Sequence, residues 1–228
     1  MIRFFADHPV LALTSDASVD FTPVDFDAPL TQAQQSYLKA RAGIDVAQVF
    51  WRKQVHGDDV LTAASACAKG CPDADAFITD QKNVPIAIRT ADCVPVFIYD
   101  PVKRVIALAH AGWKGTHQRI AAKTVREMQD KFGSRCYDLK VALGPCIRPC
   151  CYEVGPEFKA YFPGNTVQRN GKFSVDVAAA NRGQLTEAGV LEANIFDGGE
   201  CTSCGPNYFS FRRDGEKAGR MISLMMLL

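Results

Sequence analysis

Two histidines and one cysteine have side chains that can bind a transition metal, and each lies where the chain is expected to turn. His56 falls in the segment Gln-Val-His-Gly at 54–57, and His110 begins the segment His-Ala-Gly-Trp-Lys-Gly at 110–115. Cys93 follows an aspartate and precedes Val-Pro, between two predicted strands. Glycine allows sharp turns at strand ends, where a side chain can point into a cleft. The three residues are therefore candidate ligands of one site.

Two imidazoles and one thiolate suit Zn²⁺, with copper as a substitute, by ligand softness. Three protein ligands leave one position of a tetrahedral metal open for water or substrate, as in catalytic zinc sites. The spacing of 56, 93 and 110 matches no local metal motif, however. Spacing alone favours the simpler interpretation that these side chains make structural hydrogen bonds.

The other cysteines form a second group with metal-binding chemistry. The chain contains nine cysteines, an odd number that leaves at least one thiol unpaired. Cys201 and Cys204 form a Cys-x-x-Cys pair, and three more stand close together at Cys146, Cys150 and Cys151. Together they can form a structural four-cysteine zinc site. A single Cys-x-x-Cys is only half of that motif and adjacent cysteines are awkward ligands, so interior packing is favoured for most of them.

Charged residues at two predicted turns can contact a substrate. Trp113 and Lys114 open a predicted helix, where free N–H groups and a lysine suit an anion such as phosphate. A solvated lysine in a capping turn is the slightly favoured alternative. The segment Arg-Arg-Asp-Gly at 212–215 predicts a charged hairpin turn, with one arginine able to face the cleft.

These residues are positioned by a predicted set of seven strands and four helices. The strands are expected at 47–52, 76–79, 86–89, 94–99, 105–110, 139–143 and 220–227, and the helices at 31–42, 116–131, 157–161 and 177–188. Apolar residues repeat along the second helix before Gly133 ends it, and Asp176 is expected to cap the last helix. Strands outnumber helices without strict alternation, so we expect a single α+β domain over 1–228, with a mixed sheet and flanking helices.

Composition and charge exclude several classes of function. The 228 residues contain 26 Lys and Arg against 25 Asp and Glu, a net charge of +1 without a basic run, which argues against a nucleic-acid partner. No glycine-rich nucleotide loop occurs, which argues against a dinucleotide or kinase-like enzyme. The first residues do not form a signal peptide, and the apolar end at 221–228 is too short to span a bilayer. We therefore expect a cytoplasmic protein with no membrane partner.

Taken together, the motifs resemble the laccase-domain family, whose members have been called multicopper polyphenol oxidases, purine nucleoside phosphorylases and peptidoglycan editing factors. The resemblance runs from about residue 46 to the end. Residues 1–45 lack the glycine-rich strand and the Leu-Asn-Leu-Gly loop with which the family usually begins. Besides the three segments around the candidate ligands, the resemblance rests on Gly-Pro-Cys-Ile at 144–147, Cys-Tyr-Glu-Val-Gly at 151–155, Ala-Asn-Arg at 180–182, Cys-Thr at 201–202 and Tyr-Phe-Ser-Phe-Arg-Arg-Asp at 208–214.

The resemblance implies one zinc ion per chain, held by His56, Cys93 and His110, with copper as a substitute. It implies a fold similar to that of certain cysteine-hydrolase toxins. It also implies an enzyme of purine nucleosides, which performs phosphorolysis of adenosine, inosine and methylthioadenosine and deamination of adenosine. The partners are then a small nucleoside and phosphate.

Four further residues receive roles from their places near the candidate ligands in the sequence. We expect Gln54, Trp113 and Lys114 to bind the substrate. Asp92 stands next to a ligand in sequence, and we expect it to orient that ligand or to handle a proton in catalysis. A hydrogen bond without any part in the chemistry is the alternative for Asp92.

Two other activities compete with the nucleoside enzyme. Cys93 and His110 can act without a metal as nucleophile and base of a hydrolase, and such a site, with or without zinc, suits the editing of a cell-wall peptide precursor. Copper-dependent phenol oxidation is the other. Four histidines cannot supply the blue site and the trinuclear cluster of a multicopper oxidase, so we expect only a side reaction of copper in the zinc site.

Overall fold

The computed structural model describes residues 1–22, 27–47, 49–63 and 72–228. Within these residues the chain forms thirteen strands and six α-helices. The strands are β1 Ile2–Phe4, β2 Val10–Thr14, β3 Val60–Thr62, β4 Ala76–Thr79, β5 Ile86–Thr90, β6 Val94–Asp100, β7 Val105–Ala111, β8 Lys140–Leu143, β9 Glu153–Val154, β10 Thr166–Arg169, β11 Lys172–Val175, β12 Ile195–Asp197 and β13 Met221–Leu227. The helices are α1 Gln32–Ala42, α2 Trp113–His117, α3 Ile120–Phe132, α4 Phe158–Tyr161, α5 Val177–Glu187 and α6 Phe211–Asp214.

The strands are arranged in two large sheets and one small sheet. The first has the order β1-β2-β13-β5 and is antiparallel throughout. The second has the order β12-β8-β6-β7-β4-β3, with parallel pairs at its two edges and antiparallel pairs between them. A three-stranded antiparallel sheet, β10-β11-β9, stands apart. The prediction of an α+β fold with a mixed sheet is therefore confirmed.

The two large sheets pack face to face, with helices on their outer sides. Phe77, Phe97 and Leu108 of the six-stranded sheet share one buried cluster with Ile88 and Met225 of the four-stranded sheet. Helices α3 and α5 pack against the opposite face of the six-stranded sheet, and α1 packs against the opposite face of the four-stranded sheet. Since both faces of both sheets are covered, the central strands are almost entirely buried, and they hold their ends rigidly.

Most of the predicted elements are confirmed, with boundaries displaced by about one residue. The cap residues behave as their types require. Gly133 ends α3 in the left-handed conformation, with φ of +66°, and the Asp176 side chain accepts the backbone N–H of Ala179 at 2.8 Å at the start of α5.

The predicted strand at 47–52 is wrong. Residue 48 lies outside the described part of the chain, and Phe50 makes a single bridge to Ile86. Arg89 lies three residues after Ile86 on β5, and the side chain of Gln54 hydrogen-bonds to both its N–H and its C=O. A side-chain amide thus occupies the ladder positions that the backbone of a longer strand would take.

Two helical predictions also need correction. The predicted helix at 116–131 is divided into α2 and α3, because Arg119 adopts φ of +65° between them. The break lets Thr116 bond to α5, where Asn181 and Gln184 donate to its hydroxyl and carbonyl, each at 2.8 Å. The segment 212–215 is not a hairpin turn: it lies in the short helix α6 and the turn after it, with Ser210 as the cap.

The strands β1, β2, β3 and β9 to β12 were not predicted. Every residue of β2 is buried, since it lies inside the four-stranded sheet between two other layers. Such a strand lacks the alternation of polar and apolar residues that identifies half-exposed strands. None of the helices in the described residues has the length and apolar character that crossing a membrane requires.

Candidate metal centre

His56, Cys93 and His110 meet at one end of the six-stranded sheet. His56 lies in the loop before β3, Cys93 in the loop between β5 and β6, and His110 in β7. Because β6 and β7 are antiparallel neighbours, the residue before β6 lies beside the last residues of β7. One ligand atom from each of the three side chains lies within 4.8 Å of the other two. The centres of the two imidazole rings lie 4.9 Å apart, and the rings are arranged edge to face.

A buried carboxylate, Asp75, holds two of these side chains in place. Its Oδ1 lies 2.7 Å from Nδ1 of His110 and accepts the backbone N–H of His56 at 3.1 Å. Its Oδ2 accepts the N–H groups of Val55 and Gly57 at 3.0 and 2.9 Å. The left-handed backbone of His56, with φ of +61°, turns these three successive N–H groups toward one carboxylate. Because Asp75 occupies Nδ1 of His110, Nε2 is the ring nitrogen left for a metal.

Sequence reasoning missed Asp75, although a signal was present. The residue directly precedes β4, whose four residues are all buried, and it is itself fully buried. A carboxylate at that position has to be paired or hydrogen-bonded, because an isolated buried charge is very unfavourable. Its partners come from a loop and a strand that are distant from it in sequence, so the sequence shows the need for a partner without identifying it.

The charges of the cluster favour a thiolate at Cys93. Burial opposes ionisation, but the charge of His110 and hydrogen bonds from His110 and His56 outweigh it and lower the pKa of the Cys93 thiol. Burial likewise opposes the imidazolium, yet the charge of Cys93 and hydrogen bonds with Asp75 and Cys93 raise the pKa of His110. The pKa of Asp75 is lowered in spite of its burial, mainly by the hydrogen bond and charge of His110. Since the thiolate is the form of cysteine that binds metals, this environment suits a cation.

The space beside the ligands also fits a metal site. Gly112 has an ordinary extended backbone, with φ of −70°, so its conformation does not require glycine. A Cβ atom there would come within 2.9 Å of Cδ2 of His56 and 3.0 Å of Sγ of Cys93. Glycine at 112 therefore lets the chain pass close behind two ligand side chains without displacing them. Donor chemistry, an oriented imidazole and this close approach together fit a transition metal.

Replacing Gly112 with alanine is expected to lower metal affinity by about 10- to 100-fold, the range seen when groups that position ligands are changed. The added methyl group must push His56 or Cys93 away, while the backbone conformation remains allowed. The affinity is measured by competition with a chromogenic chelator. Gly183→Ala in α5 is the matched control, since a methyl group added there would meet no atom within 4 Å, and it should keep wild-type affinity. Unchanged affinity in Gly112→Ala would contradict the placement of the site.

His56, Cys93 and His110 line a cavity of about 780 Å³. This volume falls within the usual range for small-molecule sites. Trp113, Tyr152 and Phe211 contribute aromatic rings to its wall. Such rings offer flat apolar faces on which a planar ligand can stack.

Three arginines add positive charge to the cavity. Arg212 faces it, as one arginine of the 212–215 segment was expected to do, and the sequence analysis missed Arg89 and Arg220. The Arg212 guanidinium lies 5.1 Å from the centre of the Tyr152 ring and donates to the carbonyl of Glu153 at 2.8 Å. Burial and the charge of Arg220 lower the pKa of Arg89 to about 10. An anion in the cavity would relieve this repulsion between like charges.

The residues expected to bind substrate lie in different places. Gln54 and Trp113 line the cavity. The Gln54 amide is already bonded to the backbone of Arg89 at 2.8 and 2.9 Å, so it fixes the wall. Lys114 is exposed and is not among the described residues that line the cavity; its Nζ lies 5.7 Å from the centre of the Trp113 ring. The expectation that phosphate lies at Lys114 therefore gains no support from its position.

Asp92 lines the cavity, but both of its carboxylate oxygens are engaged. Oδ1 accepts the hydroxyl of Thr202 and Oδ2 accepts the backbone N–H of Arg212, each at 2.6 Å. Asp92 adopts φ of +92°, which is strained for a residue with a side chain. Its contacts thus tie the loop that carries Cys93 to two segments from the C-terminal part of the chain.

Comparisons with known proteins show which family the chain resembles in sequence and fold. The family model described as multi-copper polyphenol oxidoreductase laccase matches residues 21–228, so the similarity begins before residue 46, where the motifs first indicated it. A purine nucleoside phosphorylase of Clostridium acetobutylicum is 34% identical over 212 residues, 89% of this chain and 87% of that protein. The adenosine deaminase RL5, from an unknown prokaryotic organism, is 36% identical over 215 residues, 85% of this chain and 78% of that protein. The crystal structure of the Bacillus licheniformis hypothetical protein YfiH has a TM-score of 0.85 at 27% identity, covering 96% of this chain and 93% of that one.

Proposed function

The chain belongs to the multi-copper polyphenol oxidoreductase laccase family, and we propose that it is a zinc-dependent enzyme of purine nucleosides. The proposed reactions are phosphorolysis of adenosine, inosine and methylthioadenosine, and deamination of adenosine, in one catalytic domain over 1–228. The observation that carries the proposal is the convergence of His56, Cys93 and His110 in the wall of a cavity lined by aromatic rings and arginines. Relatives named as a purine nucleoside phosphorylase and as an adenosine deaminase support the choice of substrate.

In this proposal His56, Cys93 and His110 hold the zinc ion. When bound, zinc supplies a Lewis acid that polarises an oxygen atom or activates water. Asp75 keeps Nδ1 of His110 occupied, which presents Nε2 to the site. The described residues offer three donors at this place, which would leave a fourth position on the ion for water or substrate.

The remaining cavity residues bind and orient the two substrates. Trp113 and Tyr152 provide surfaces for stacking of the purine ring. Arg212 and Arg89 provide guanidinium groups that suit a phosphate dianion, which replaces the expected role of Lys114. Gln54 acts indirectly, by holding the backbone of Arg89 in the wall.

We assign Asp92 as a positioning residue. Both of its oxygens accept short hydrogen bonds from groups of the chain, and so orientation of the Cys93 loop fits it better than proton transfer. These hydrogen bonds also restrict the position of Cys93, because Cys93 is joined to Asp92 by a peptide bond. A loosened loop would let the thiolate move away from the two imidazoles.

The proposed function is tested by incubating zinc-loaded protein with adenosine, with and without phosphate. Phosphorolysis predicts adenine and ribose 1-phosphate only when phosphate is present, and deamination predicts inosine in both cases. Removing zinc with a chelator should stop both reactions, and restoring zinc should recover them. If zinc-loaded protein converts adenosine neither with nor without phosphate, the proposed function is wrong.

A metal-free hydrolase is the second candidate, and one observation favours it. Cys93, His110 and Asp75 are linked in the order of nucleophile, base and orienting carboxylate, with Asp75 2.7 Å from Nδ1 of His110. Such a site can cleave an amide in a cell-wall peptide precursor. Alkylation separates the two candidates: a metal-free thiolate reacts rapidly with iodoacetamide, whereas a zinc-bound thiolate is protected until a chelator is added.

A further inference from the structure

Four other cysteines meet at a place separate from the candidate metal centre. The sulfur atoms of Cys150, Cys151, Cys201 and Cys204 all lie within 4.8 Å of one another. Sγ of Cys204 lies 3.5 Å from both Cys150 and Cys151, and all seven cysteines in the described residues are free thiols. Four thiolates around zinc, with bonds of about 2.3 Å, stand about 3.8 Å apart at the corners of a tetrahedron. The observed separations are thus close to those that a zinc ion requires.

The sheet explains why cysteines so distant in sequence meet. Strands β8 and β12 are parallel neighbours, so the loops that follow them begin at the same end of the sheet. The first loop carries Cys150 and Cys151, and the second carries Cys201 and Cys204. Cys146 takes no part in the cluster: it is buried, and its backbone carbonyl accepts the N–H of Thr202 at 3.0 Å, joining the two loops.

An ion pair fixes the same two loops independently of any metal. The guanidinium of Arg148 donates to the Asp197 carboxylate through two nitrogens, at 2.8 and 2.5 Å. Arg148 also donates to the carbonyl of Glu200 at 3.3 Å. Arg148 lies two residues before Cys150, and Glu200 lies directly before Cys201. The chain therefore presents the thiols from a backbone that is already held in position.

We propose that Cys150, Cys151, Cys201 and Cys204 bind a second zinc ion, which has a structural role. Four soft thiolates select zinc over hard cations, and a complete set of four protein ligands leaves no open position for chemistry. Two of the thiols are exposed and two are half-buried, so the ion can enter from solvent. The convergence of the four sulfur atoms corrects the expectation that most of these cysteines only pack in the interior.

The second site stabilises the rim of the catalytic cavity. Thr202 lies between Cys201 and Cys204, and its hydroxyl donates to Asp92, which precedes Cys93. Fixing the Cys201 loop therefore fixes the hydrogen bond that holds the Cys93 loop. This structural role does not depend on which reaction the cavity performs.

The proposal is tested by measuring zinc per chain in protein purified under reducing conditions. Wild-type protein is expected to hold two zinc ions, and the double variant Cys201→Ser/Cys204→Ser is expected to hold one. Cys136→Ser is the matched control, because this half-buried cysteine lies outside both clusters, and it should keep two. One zinc ion in the wild type, lost on changing Cys93, would overturn the second site and leave the first intact.

A second measurement covers the case in which the double variant does not fold. Cys93→Ala leaves the four thiols unchanged, and after reconstitution with cobalt it should show the intense thiolate-to-cobalt absorption of a sulfur-rich site. Absence of that absorption in the folded variant overturns the proposal. The proposal is also overturned if mass spectrometry finds the four cysteines paired as disulfides in wild-type protein prepared under reducing conditions.

Discussion

Replacing Cys93 with alanine is expected to remove one metal ion per chain and to reduce nucleoside turnover by at least about 10³-fold, because a metal at the reacting atoms contributes several kcal/mol to the transition state. Two imidazoles alone form an incomplete set of ligands, and Asp75 is directed toward His110 and the backbone, so it cannot replace the thiolate. Metal content by mass spectrometry and turnover of adenosine are measured on the same preparation.

The control for this prediction is Cys136→Ala, which removes a thiol of similar burial outside the metal clusters. It should retain both metal and turnover. If Cys93→Ala keeps wild-type turnover, the catalytic role of the site is refuted. If it loses turnover but keeps the full metal content, the result instead supports Cys93 as a nucleophile.

Replacing Asp75 with asparagine is expected to lower metal affinity by about 10- to 100-fold, the range for losing the partner of a ligand histidine. The amide keeps the shape of the carboxylate but has only one acceptor oxygen for four donors. Two buried backbone or ring donors then face an NH₂ group, which should reduce the free energy of unfolding by about 3 kcal/mol. Metal affinity is measured by chelator competition, and stability by urea denaturation of metal-free protein.

Asp58→Asn provides the comparison for Asp75. Asp58 directly follows Gly57, in the loop whose N–H groups bond to Asp75, but it forms a partly exposed ion pair with Lys123 at 3.0 Å. Surface pairs contribute about 1 kcal/mol or less. Its replacement should leave metal affinity unchanged. Equal losses of affinity in the two variants would show that Asp75 has no special part in orienting His110.

The elements that the sequence predicted are those with strong local signals. The strands that contain or adjoin Cys93 and His110 are continuous apolar runs, and helix α3 has a clear apolar face and a terminal glycine. The strand β2 and the break at Arg119 lack such signals, because both depend on packing against distant parts of the chain. The error at 47–52 has the same origin, since a side-chain amide replaced backbone pairing there.

The candidate site was predicted only in part. The spacing of His56, Cys93 and His110 was uninformative, and the resemblance to a family identified them as a set. Asp75 and Arg89 could not be identified this way, because their roles arise from contacts between loops and strands that the fold brings together. The four-cysteine cluster was considered from its Cys-x-x-Cys pair, but the parallel pairing of β8 and β12 was needed to show that its two halves meet.

Anomalous X-ray scattering can locate a metal ion bound by His56, Cys93 and His110. Crystals of protein purified without added metal are measured just above and just below the zinc absorption edge. We predict an anomalous peak bounded by these three side chains that disappears below the edge. A map with no peak there, in crystals whose protein turns over adenosine, would show that these side chains do not hold the metal.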